Sequence, residues 1–334
     1  MPIPSLHAGM GAIPYGGGVA FRVWAPFAPS VHVAGDFNGW NAMSIPLVSE
    51  GNGNWSVDVP GAGAGQKYEF IVGNLWRIDP RAKQVTNSVG DAIITDSNYA
   101  WSVHDFGIPP WNELVIYEMH IGTFPDNPIG AGQLFDAVVR DMWYLRDLGV
   151  NAIELLPSGE FPGDYSWGYN PSHIYAVESY YGGPDALKRL IDEAHGNGIA
   201  VILDVVYNHL GPNDLSIWQF DGWFQHWNGE GMGGIYFYND WRATTPWGRK
   251  NRPDYGRSEV RQFIRDNVLA WLEEFRFDGL RFDATNFIRN VYGHNYDAVD
   301  DPNNLGGSGW SLLQWINDEI NACLLYTSDA ADEL

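Results

Sequence analysis

The chain has 334 residues, 45% of them hydrophobic, so it is long enough for two domains that each bury a core. Its 41 acidic and 19 basic residues give a formal net charge of −22 at pH 7. A surface this acidic repels phosphate groups, so we expect no nucleic acid and no anionic membrane among its partners.

No apolar run is long enough to span a bilayer, and Met1–Gly18 lacks the basic-then-apolar layout of a signal peptide. The single cysteine, Cys323, excludes an internal disulfide framework. We therefore predict a cytoplasmic protein. Aromatic residues make up 15% of the chain, a content that fits either stacking on sugar rings or a large core. The sequence gives no oligomeric state.

Residues 1–100 predict a small β-sandwich. Short alternating runs separated by turn residues are typical of such a fold. The clearest runs are Ala20–Trp24, Val31–Ala34, Trp55–Val59 and Tyr68–Val72. Residues 101–112, which contain Pro109-Pro110, are predicted to link this domain to the next.

From residue 113 the pattern changes to strands that alternate with helices. The predicted strands are Leu114–Ile121, Asn151–Leu156, Ile199–Val206 and Gly279–Ala284, and the predicted helices are Leu134–Leu148, Pro184–Asn197 and Ser258–Phe275. This alternation indicates a parallel sheet and fits both a doubly wound sheet and a (β/α)8 TIM barrel. Polar residues at the carboxyl ends of the third and fourth strands favour the barrel, where such positions form the catalytic face.

Two segments carry the polar residues. Asp204–His209 places an Asp, an Asn and a His at one strand end, and Phe277–Ala284 places Arg281 two residues before Asp283. Residues i and i+2 of a strand face the same side, so both side chains point towards the barrel mouth. An arginine beside this aspartate keeps its carboxylate charged and oriented, as a covalent glycosyl-transfer mechanism requires of a nucleophile. The alternative is a buried Arg–Asp pair that only closes a strand end.

These two segments resemble the first and second conserved regions of the α-amylase superfamily (glycoside hydrolase family 13). The resemblance covers residues 8 to 322. Further matching segments are Tyr117–Phe124, Glu154–Pro157, Trp167–Pro171, Tyr181–Pro184 and Gly211-Pro212, and in the first domain Phe21–Pro26 and Gly35–Trp40. The first-domain segments resemble the β-sandwich module that precedes the barrel in branching enzymes and isoamylases. The resemblance implies a multidomain chain with a β-sandwich followed by a TIM barrel at residues 113–322, of which about the first half is present.

The resemblance also implies roles for individual residues. Asp283 would be the nucleophile and Arg281 would orient it. The implied substrate-binding set is Asp204, which supports the site, His209, which hydrogen-bonds sugar hydroxyls, Tyr169, which stacks on the same ring, and the neighbouring Asn208 and Trp167. Asn208 binds calcium in some amylases, but we prefer a plain strand-end hydrogen bond and expect no metal and no cofactor. The implied partner is an α-glucan such as glycogen, a starch-like chain or a maltooligosaccharide.

Three tryptophans of the first domain are candidates for glucan stacking or for its core. We expect Trp24 to be a core residue, whereas the sequence leaves Trp40 and Trp55 open. Because some modules of this type have lost glucan binding, the domain has the alternative role of bracing the barrel.

The chain departs from the family pattern in its later part. The family's general acid, a Glu after the fifth strand, and its third carboxylate, an Asp after the seventh, have no counterpart here, and we do not accept Glu319 as the acid. Residues 323–334 read as a translated sequencing adapter, so we predict a non-natural tail. The chain as written is expected to be inactive and poorly soluble.

Three functions follow from these expectations. The first is a transferase that cleaves an α-1,4 glucan and passes the fragment to a 6-hydroxyl, as branching enzymes do. The second is a hydrolase of the same family, of the trehalohydrolase or amylase type. The third is a non-catalytic glucan-binding protein, against which the intact acidic and basic residues of the two strand ends argue.

Overall fold

The structure, a computed structural model, describes residues 3–96, 98–126, 130–247, 250–291 and 309–323. The predicted tail beyond Cys323 lies outside these residues. In the described part of the chain, no helix is both long enough and apolar enough to cross a membrane.

The first domain contains eight strands. In chain order they are β1 (Gly11–Tyr15), β2 (Gly18–Trp24), β3 (Val31–Gly35), β4 (Val48–Ser49), β5 (Asn54–Pro60), β6 (Lys67–Val72), β7 (Leu75–Arg77) and β8 (Ala92–Ile93). One antiparallel sheet has the order β1-β2-β5-β4, and the other has the order β3-β6-β7 with β8 paired to β6. All four predicted runs are therefore strands, and the predicted β-sandwich is confirmed.

The core of the sandwich lies between the two sheets. Phe21 of β2 packs edge-on against Tyr68 of β6, with ring centroids 5.0 Å apart. Strand β2 is buried on both faces rather than on one. On its second face, Trp24 meets Tyr236 of the second domain, and Arg22 is covered by the N-terminal segment, whose His7 and Gly9 carbonyls accept its hydrogen bonds.

The second domain alternates strands and helices. In chain order it contains β9 (Ile116–Met119), α1 (Leu134–Leu148), β10 (Ala152–Leu155), β11 (Gly159–Glu160), β12 (His173–Val177), α2 (Gly183–Gly196), β13 (Ala200–Val205), β14 (His226–Trp227), β15 (Glu230–Gly231), α3 (Ser258–Leu269), β16 (Gly279–Phe282), α4 (Thr285–Arg289) and α5 (Trp310–Cys323). A π-helical turn, Ala270–Glu274, extends α3. Local signals match these bounds: Gly149 ends α1 in a left-handed conformation, and Pro184 lies in the first turn of α2.

The main sheet of this domain has the order β16-β13-β10-β9, and every pair is parallel. Each strand lies beside the one that precedes it in the sheet along the chain. A doubly wound sheet reverses its strand order at a switch point, whereas a barrel adds strands in sequence. The arrangement is that of the first half of a TIM barrel, as predicted.

The observed strands are shorter than predicted at their ends. One such difference is at Ala284, which was expected in the fourth strand but adopts a left-handed conformation with φ of 44°. The Asp283 N–H still donates to the Val205 carbonyl at 3.0 Å, so the ladder continues through the aspartate. The chain then turns into α4, which leaves the Asp283 side chain at the strand end.

The two domains are in extensive contact. Arg77 donates hydrogen bonds to the carbonyls of Phe220 and Gln219, and Phe27 stacks on Trp223 with ring centroids 4.6 Å apart. The partners Gln219, Phe220 and Trp223 belong to the long aromatic loop of residues 215–256, before α3, whose contacts were not predictable from the sequence. This loop therefore fastens the sandwich to the half-barrel.

Candidate functional site

The candidate site lies where β13 and β16 end. Parallel pairing places Asp204 directly opposite Arg281. Asp283 follows β16 by one residue and Asn208 follows β13 by three. The two segments singled out in the sequence are therefore neighbours in space.

Arg281 joins the two carboxylates. Its Nη1 atom donates to Asp204 Oδ2 at 2.7 Å and to Asp283 Oδ1 at 3.0 Å. The other oxygen of Asp283, Oδ2, accepts from Asn208 Nδ2 at 2.9 Å. Each oxygen of Asp283 thus has one donor, and the carboxylate is held in a single orientation.

Asp204 is the buried member of the cluster, with 2% of its surface exposed. Its Oδ2 accepts from the Tyr169 hydroxyl at 2.5 Å as well as from Arg281, whereas Oδ1 has no hydrogen-bond partner. Burial raises the pKa of Asp204 to about 6, although the hydrogen bonds from Tyr169 and Arg281 act in the opposite direction. This carboxyl group is suited to orient Arg281 and Tyr169.

Asp204 shifts the pKa values of its two partners, Arg281 and Tyr169. Burial lowers the pKa of Arg281, but the hydrogen bond and negative charge of Asp204 outweigh it, so the pKa is raised overall. Burial and then the Asp204 hydrogen bond raise the pKa of Tyr169. Arg281 therefore stays a cation and Tyr169 stays a hydroxyl donor.

His209 is buried beside the cluster. Its Nδ1 contacts Asn208 Oδ1, and its ring lies 5.7 Å from the Trp247 ring. Burial lowers the pKa of His209, while the charge of Asp283 opposes the shift. Because Asn208 Oδ1 can only accept, Nδ1 donates to it, and the neutral ring leaves Nε2 to accept a hydrogen bond from a hydroxyl group.

Tyr169 and Trp167 lie on one segment, between β11 and β12. Tyr169 is half-buried against Asp204, whereas Trp167 is 73% exposed. Both line an open cavity of about 1210 Å³ that also touches His120 and Trp143. Asp204, His209, Arg281 and Asp283 are not among the residues that line it. The structure thus brings six predicted residues together and places Trp167 on the open cavity next to them. The six are Tyr169, Asp204, Asn208, His209, Arg281 and Asp283.

Asn208 has a more specific contact than the sequence indicated. The expected strand-end hydrogen bond exists, from Asn208 Nδ2 to the Asp283 carbonyl at 3.0 Å, but the same nitrogen also holds the Asp283 carboxylate. No group of three or more His, Cys, Asp or Glu residues suited to a metal ion occurs in the described ranges.

Glu319 lies in an ion pair away from this cluster. Its Oε1 accepts from Arg265 Nη2 of α3 at 2.6 Å. The hydrogen bond from Arg265 lowers the pKa of Glu319, which is the opposite of what a general acid needs. This geometry agrees with leaving Glu319 out of the catalytic set.

Two residues near the site were not predicted. His120 follows β9, and its Nε2 lies 2.8 Å from the Ser166 carbonyl in the Tyr169 segment. Like Asp204, His120 is a polar residue at the carboxyl end of a barrel strand, so the rule that identified Asp204 would also have identified His120. Trp247, beside His209, comes from the long loop, where no local pattern marks it.

The sandwich carries a separate aromatic feature. Trp24 is buried, as expected, but it lies between the sandwich and the second domain, where it meets Tyr236. Trp55 packs partly against the core with its indole N–H bonded to the Ala25 carbonyl. Trp40 instead lies beside Trp76, with ring centroids 6.3 Å apart and an angle of 35° between the planes. Trp76 is 45% exposed, so this pair presents flat apolar surface to solvent.

Comparison with known protein families gives two matches. Residues 122–317 match the family model of the alpha amylase catalytic domain. Residues 9–111 match the model of carbohydrate-binding module 48, the isoamylase N-terminal domain.

Among curated proteins, the chain is 35% identical over 320 residues to a 1,4-alpha-glucan branching enzyme of Corynebacterium jeikeium, covering 87% of this chain and 43% of the relative. It is 35% identical over 274 residues to a malto-oligosyltrehalose trehalohydrolase of Saccharolobus solfataricus, covering 81% and 45%. The chain therefore spans less than half the length of the relatives it matches.

Solved structures of similar fold include a Salmonella typhimurium protein assigned as an alpha amylase, with a TM-score of 0.76 and 30% identity over 95% of this chain and 48% of that chain. A pullulanase complexed with maltotetraose, from Anoxybacillus sp. LM18-11, has a TM-score of 0.67 and 27% identity over 85% and 46%.

Proposed function

The chain belongs to the α-amylase family, and on that premise we propose that the enzyme carrying these residues is a retaining α-glucan transferase that makes branches. It would cleave an α-1,4 link and transfer the released fragment to a 6-hydroxyl group. The observation that carries the proposal is the Asp283 carboxylate, held by Arg281 and Asn208 at a barrel strand end.

In the first step, an oxygen of Asp283 attacks the anomeric carbon of the glucan. The bond between that carbon and the leaving 4-oxygen breaks, and a general acid gives the leaving oxygen a proton. Arg281 and Asn208 keep the attacking carboxylate in line, and Asp204 keeps Arg281 in place. No described residue suits the role of the acid, so the proposal assigns it to the Glu that the family carries after its fifth strand.

In the second step, a 6-hydroxyl oxygen of another glucan attacks the same carbon. The bond to Asp283 breaks, and the proton of the hydroxyl passes to the group that served as the acid. Two displacements at one carbon retain its configuration. A hydrolase differs only in that water replaces the hydroxyl, so the cluster alone does not separate the two reactions.

Branching is favoured over hydrolysis because branching enzymes recur among the relatives, whereas a trehalohydrolase represents the alternative. The test uses the complete reading frame that encodes these residues, expressed and incubated with amylose. A branching enzyme lowers iodine staining without creating new reducing ends. Reducing ends that rise in step with the loss of staining would establish the hydrolase instead.

We also propose that the sandwich binds glucan through Trp40 and Trp76. Pyranose rings offer apolar C–H faces that stack on indole rings, and this pair offers exposed indole surface in a domain of the carbohydrate-binding type. A non-catalytic glucan-binding role would apply to the 334-residue chain if it retains glucan in a pull-down experiment but turns none over.

A further inference from the structure

Two buried glutamates lie outside the proposed reaction. Glu160 ends β11 and Glu178 directly follows β12, and each is 1% exposed. Between them runs the segment of 161–177, which carries Trp167 and Tyr169. The pair therefore stands at the base of the segment that delivers Tyr169 to the site.

The two carboxyl groups bind the backbone reciprocally. Glu160 Oε2 accepts from the Ser179 N–H at 2.7 Å, and its Oε1 accepts from the Ser179 hydroxyl at 3.2 Å. Glu178 Oε2 accepts from the Phe161 N–H at 3.1 Å, and its Oε1 accepts from the Tyr180 N–H at 2.9 Å. Each side chain thus hydrogen-bonds to the residues next to the other glutamate. These bonds hold the two ends of the segment together.

No cation balances these carboxyl groups. Neither forms an ion pair with any arginine, lysine or histidine of the described ranges. The charged group that acts on both is the acidic Asp164, and Glu160 itself acts on Glu178. Two buried negative charges without a cation are costly, so protonation of the pair is favoured.

The protonation equilibria agree with this geometry. Burial raises the pKa of Glu160 to about 7 against the hydrogen bonds from Ser179, which act in the opposite direction, and the charge of Asp164 adds to the rise. Burial, followed by the charge of Glu160, raises the pKa of Glu178 to about 8. At neutral pH the pair therefore retains a proton.

The base of the segment is connected to the candidate site. Tyr181, close to Glu178, places its hydroxyl 3.1 Å from His120 Nε2, and the same nitrogen lies 2.8 Å from the Ser166 carbonyl. The neighbouring charge of Glu178 helps to raise the pKa of Tyr181, after burial. At the middle of the segment, farthest from its base, Tyr169 donates to Asp204. A shift at the base is thus able to reach the Tyr169 hydroxyl.

We propose that Glu160 and Glu178 are a pair of positioning residues that retains a proton at neutral pH, and that loss of this proton loosens the Tyr169 segment and weakens glucan binding. The part concerning glucan rests on the proposed function. The ligand class is an α-1,4 glucan, and the pair acts on it only through the segment.

The direction of the pH effect follows from linkage. A carboxyl group whose folded-state pKa is raised binds its proton more tightly in the folded protein than in the unfolded chain. Between a pH of about 4.5, the ordinary value for Glu, and a pH of about 8, the folded state binds more protons. The contribution of the pair to stability therefore falls as the pH rises through this range.

The test is hydrogen exchange of the Phe161, Ser179 and Tyr180 amides at pH 6 and pH 9, corrected for the intrinsic rate. In the unmodified chain we expect protection to fall by about tenfold or more, the equivalent of at least one pKa unit. In Glu160→Gln we expect a smaller fall, because burial still raises the pKa of Glu178 but the charge of Glu160 no longer does. The substitution keeps both contacts, because the amide oxygen accepts from the Ser179 N–H and the amide nitrogen donates to its hydroxyl.

Glu178→Gln removes the other carboxyl group, but its amide nitrogen would face a backbone N–H, so Glu160→Gln is the cleaner variant. Glu113→Gln, at an exposed position, is the matched control that keeps the full pH effect. If the pH effect on exchange is the same in the unmodified chain, in Glu160→Gln and in Glu178→Gln, the proposed role of the pair is wrong.

Maltoheptaose affinity is measured by calorimetry at the same two pH values, with Trp40→Ala and Trp76→Ala in every variant so that the sandwich does not bind the ligand. It separates the pair from the proposed function. We expect the affinity to fall at pH 9 in the chain that keeps both glutamates and to fall less in Glu160→Gln. If hydrogen exchange depends on pH as expected but maltoheptaose binds at neither pH, the proposed glucan function is wrong and the proposed role of the pair in the segment is retained. Binding that is equally strong at both pH values would overturn the role of the pair in positioning.

Discussion

At the scale of single residues, the contact that most directly supports the proposed chemistry is between Asn208 and Asp283. Asn208 is fully buried and donates to the Asp283 carboxylate at 2.9 Å. We predict that Asn208→Ala lowers kcat by about 10- to 100-fold, because a hydrogen bond to a charged group contributes about 1.5–3 kcal/mol. KM for glucan should change little. Steady-state kinetics check this, with Asn197→Ala on the far end of α2 as the control.

A second prediction concerns the acid side of the pH profile. Activity requires the charged form of Asp204 to hold Arg281, so it should decline as the pH falls through about 6. The Tyr169 hydrogen bond lowers the pKa of Asp204, so Tyr169→Phe removes that effect and should move the acid limb of kcat/KM upward by about one pH unit. The ring remains available for stacking.

The control for this experiment is Tyr144→Phe, which loses a hydroxyl on the exposed face of α1. An acid limb that stays in place in Tyr169→Phe would contradict the role of Asp204. The linkage to stability has the opposite direction: because the folded-state pKa of Asp204 is raised, its contribution to stability falls as the pH rises from about 4 to about 6.

At the level of secondary-structure elements, the sequence predicted the four parallel strands and helices α1, α2 and α3 of the half-barrel, but not β12 or α4 and not all of the bounds. Periodicity and turn residues are local signals, and they identify β13 and β16 and the polar residues at their ends. The burial of β2 on both faces was not predictable, because Tyr236 and the N-terminal segment that cover it come from distant parts of the chain.

The same limit applies to the site. Asp204, Arg281 and Asp283 were predictable because a barrel brings the carboxyl ends of adjacent strands together. Trp247 was not, since an irregular loop brings it beside His209. The Glu160 and Glu178 pair was also missed, because nothing in the sequence shows that two glutamates eighteen residues apart become buried side by side without a cation.

The aromatic pair of the sandwich is also tested at this scale. We predict that Trp40→Ala and Trp76→Ala each weaken binding of glycogen by the chain about tenfold, because stacking of this kind contributes about 1 kcal/mol or more. Trp111→Ala, which removes an indole that is 73% exposed outside the two sheets, is the matched control. Affinity electrophoresis in glycogen gels measures the effect. Unchanged mobility in both variants would show that the sandwich only braces the barrel.

At the scale of the whole molecule, one flank of the half-barrel is apolar and exposed. Strand β9 pairs only with β10 among the described strands, so its other edge is open. Five apolar side chains on β9, next to it and on α1 are each at least 42% exposed. They are Val115, Ile116, Trp143, Tyr144 and Leu148. Open edges and apolar patches of this kind promote association.

We therefore predict that the 334-residue chain self-associates, despite a net charge of −22 that favours solubility. Light scattering after size-exclusion chromatography measures the association. Trp143→Lys should raise the monomer fraction, whereas Leu6→Lys, at an exposed apolar position on the sandwich side, should not. A monodisperse monomer in the unmodified chain would contradict the role of the exposed flank.

Asp283 is the proposed nucleophile of a retaining α-glucan enzyme. The most direct test is to incubate the enzyme, expressed from the complete reading frame, with a 5-fluoro-α-maltosyl fluoride and to map the modified peptide by mass spectrometry. Fluoride leaves without a proton, and the ring fluorine slows release of the intermediate. The account predicts a maltosyl adduct on the peptide that contains Asp283 and none in Asp283→Asn. An adduct on Asp204, or an active enzyme that forms no adduct at Asp283, would contradict it.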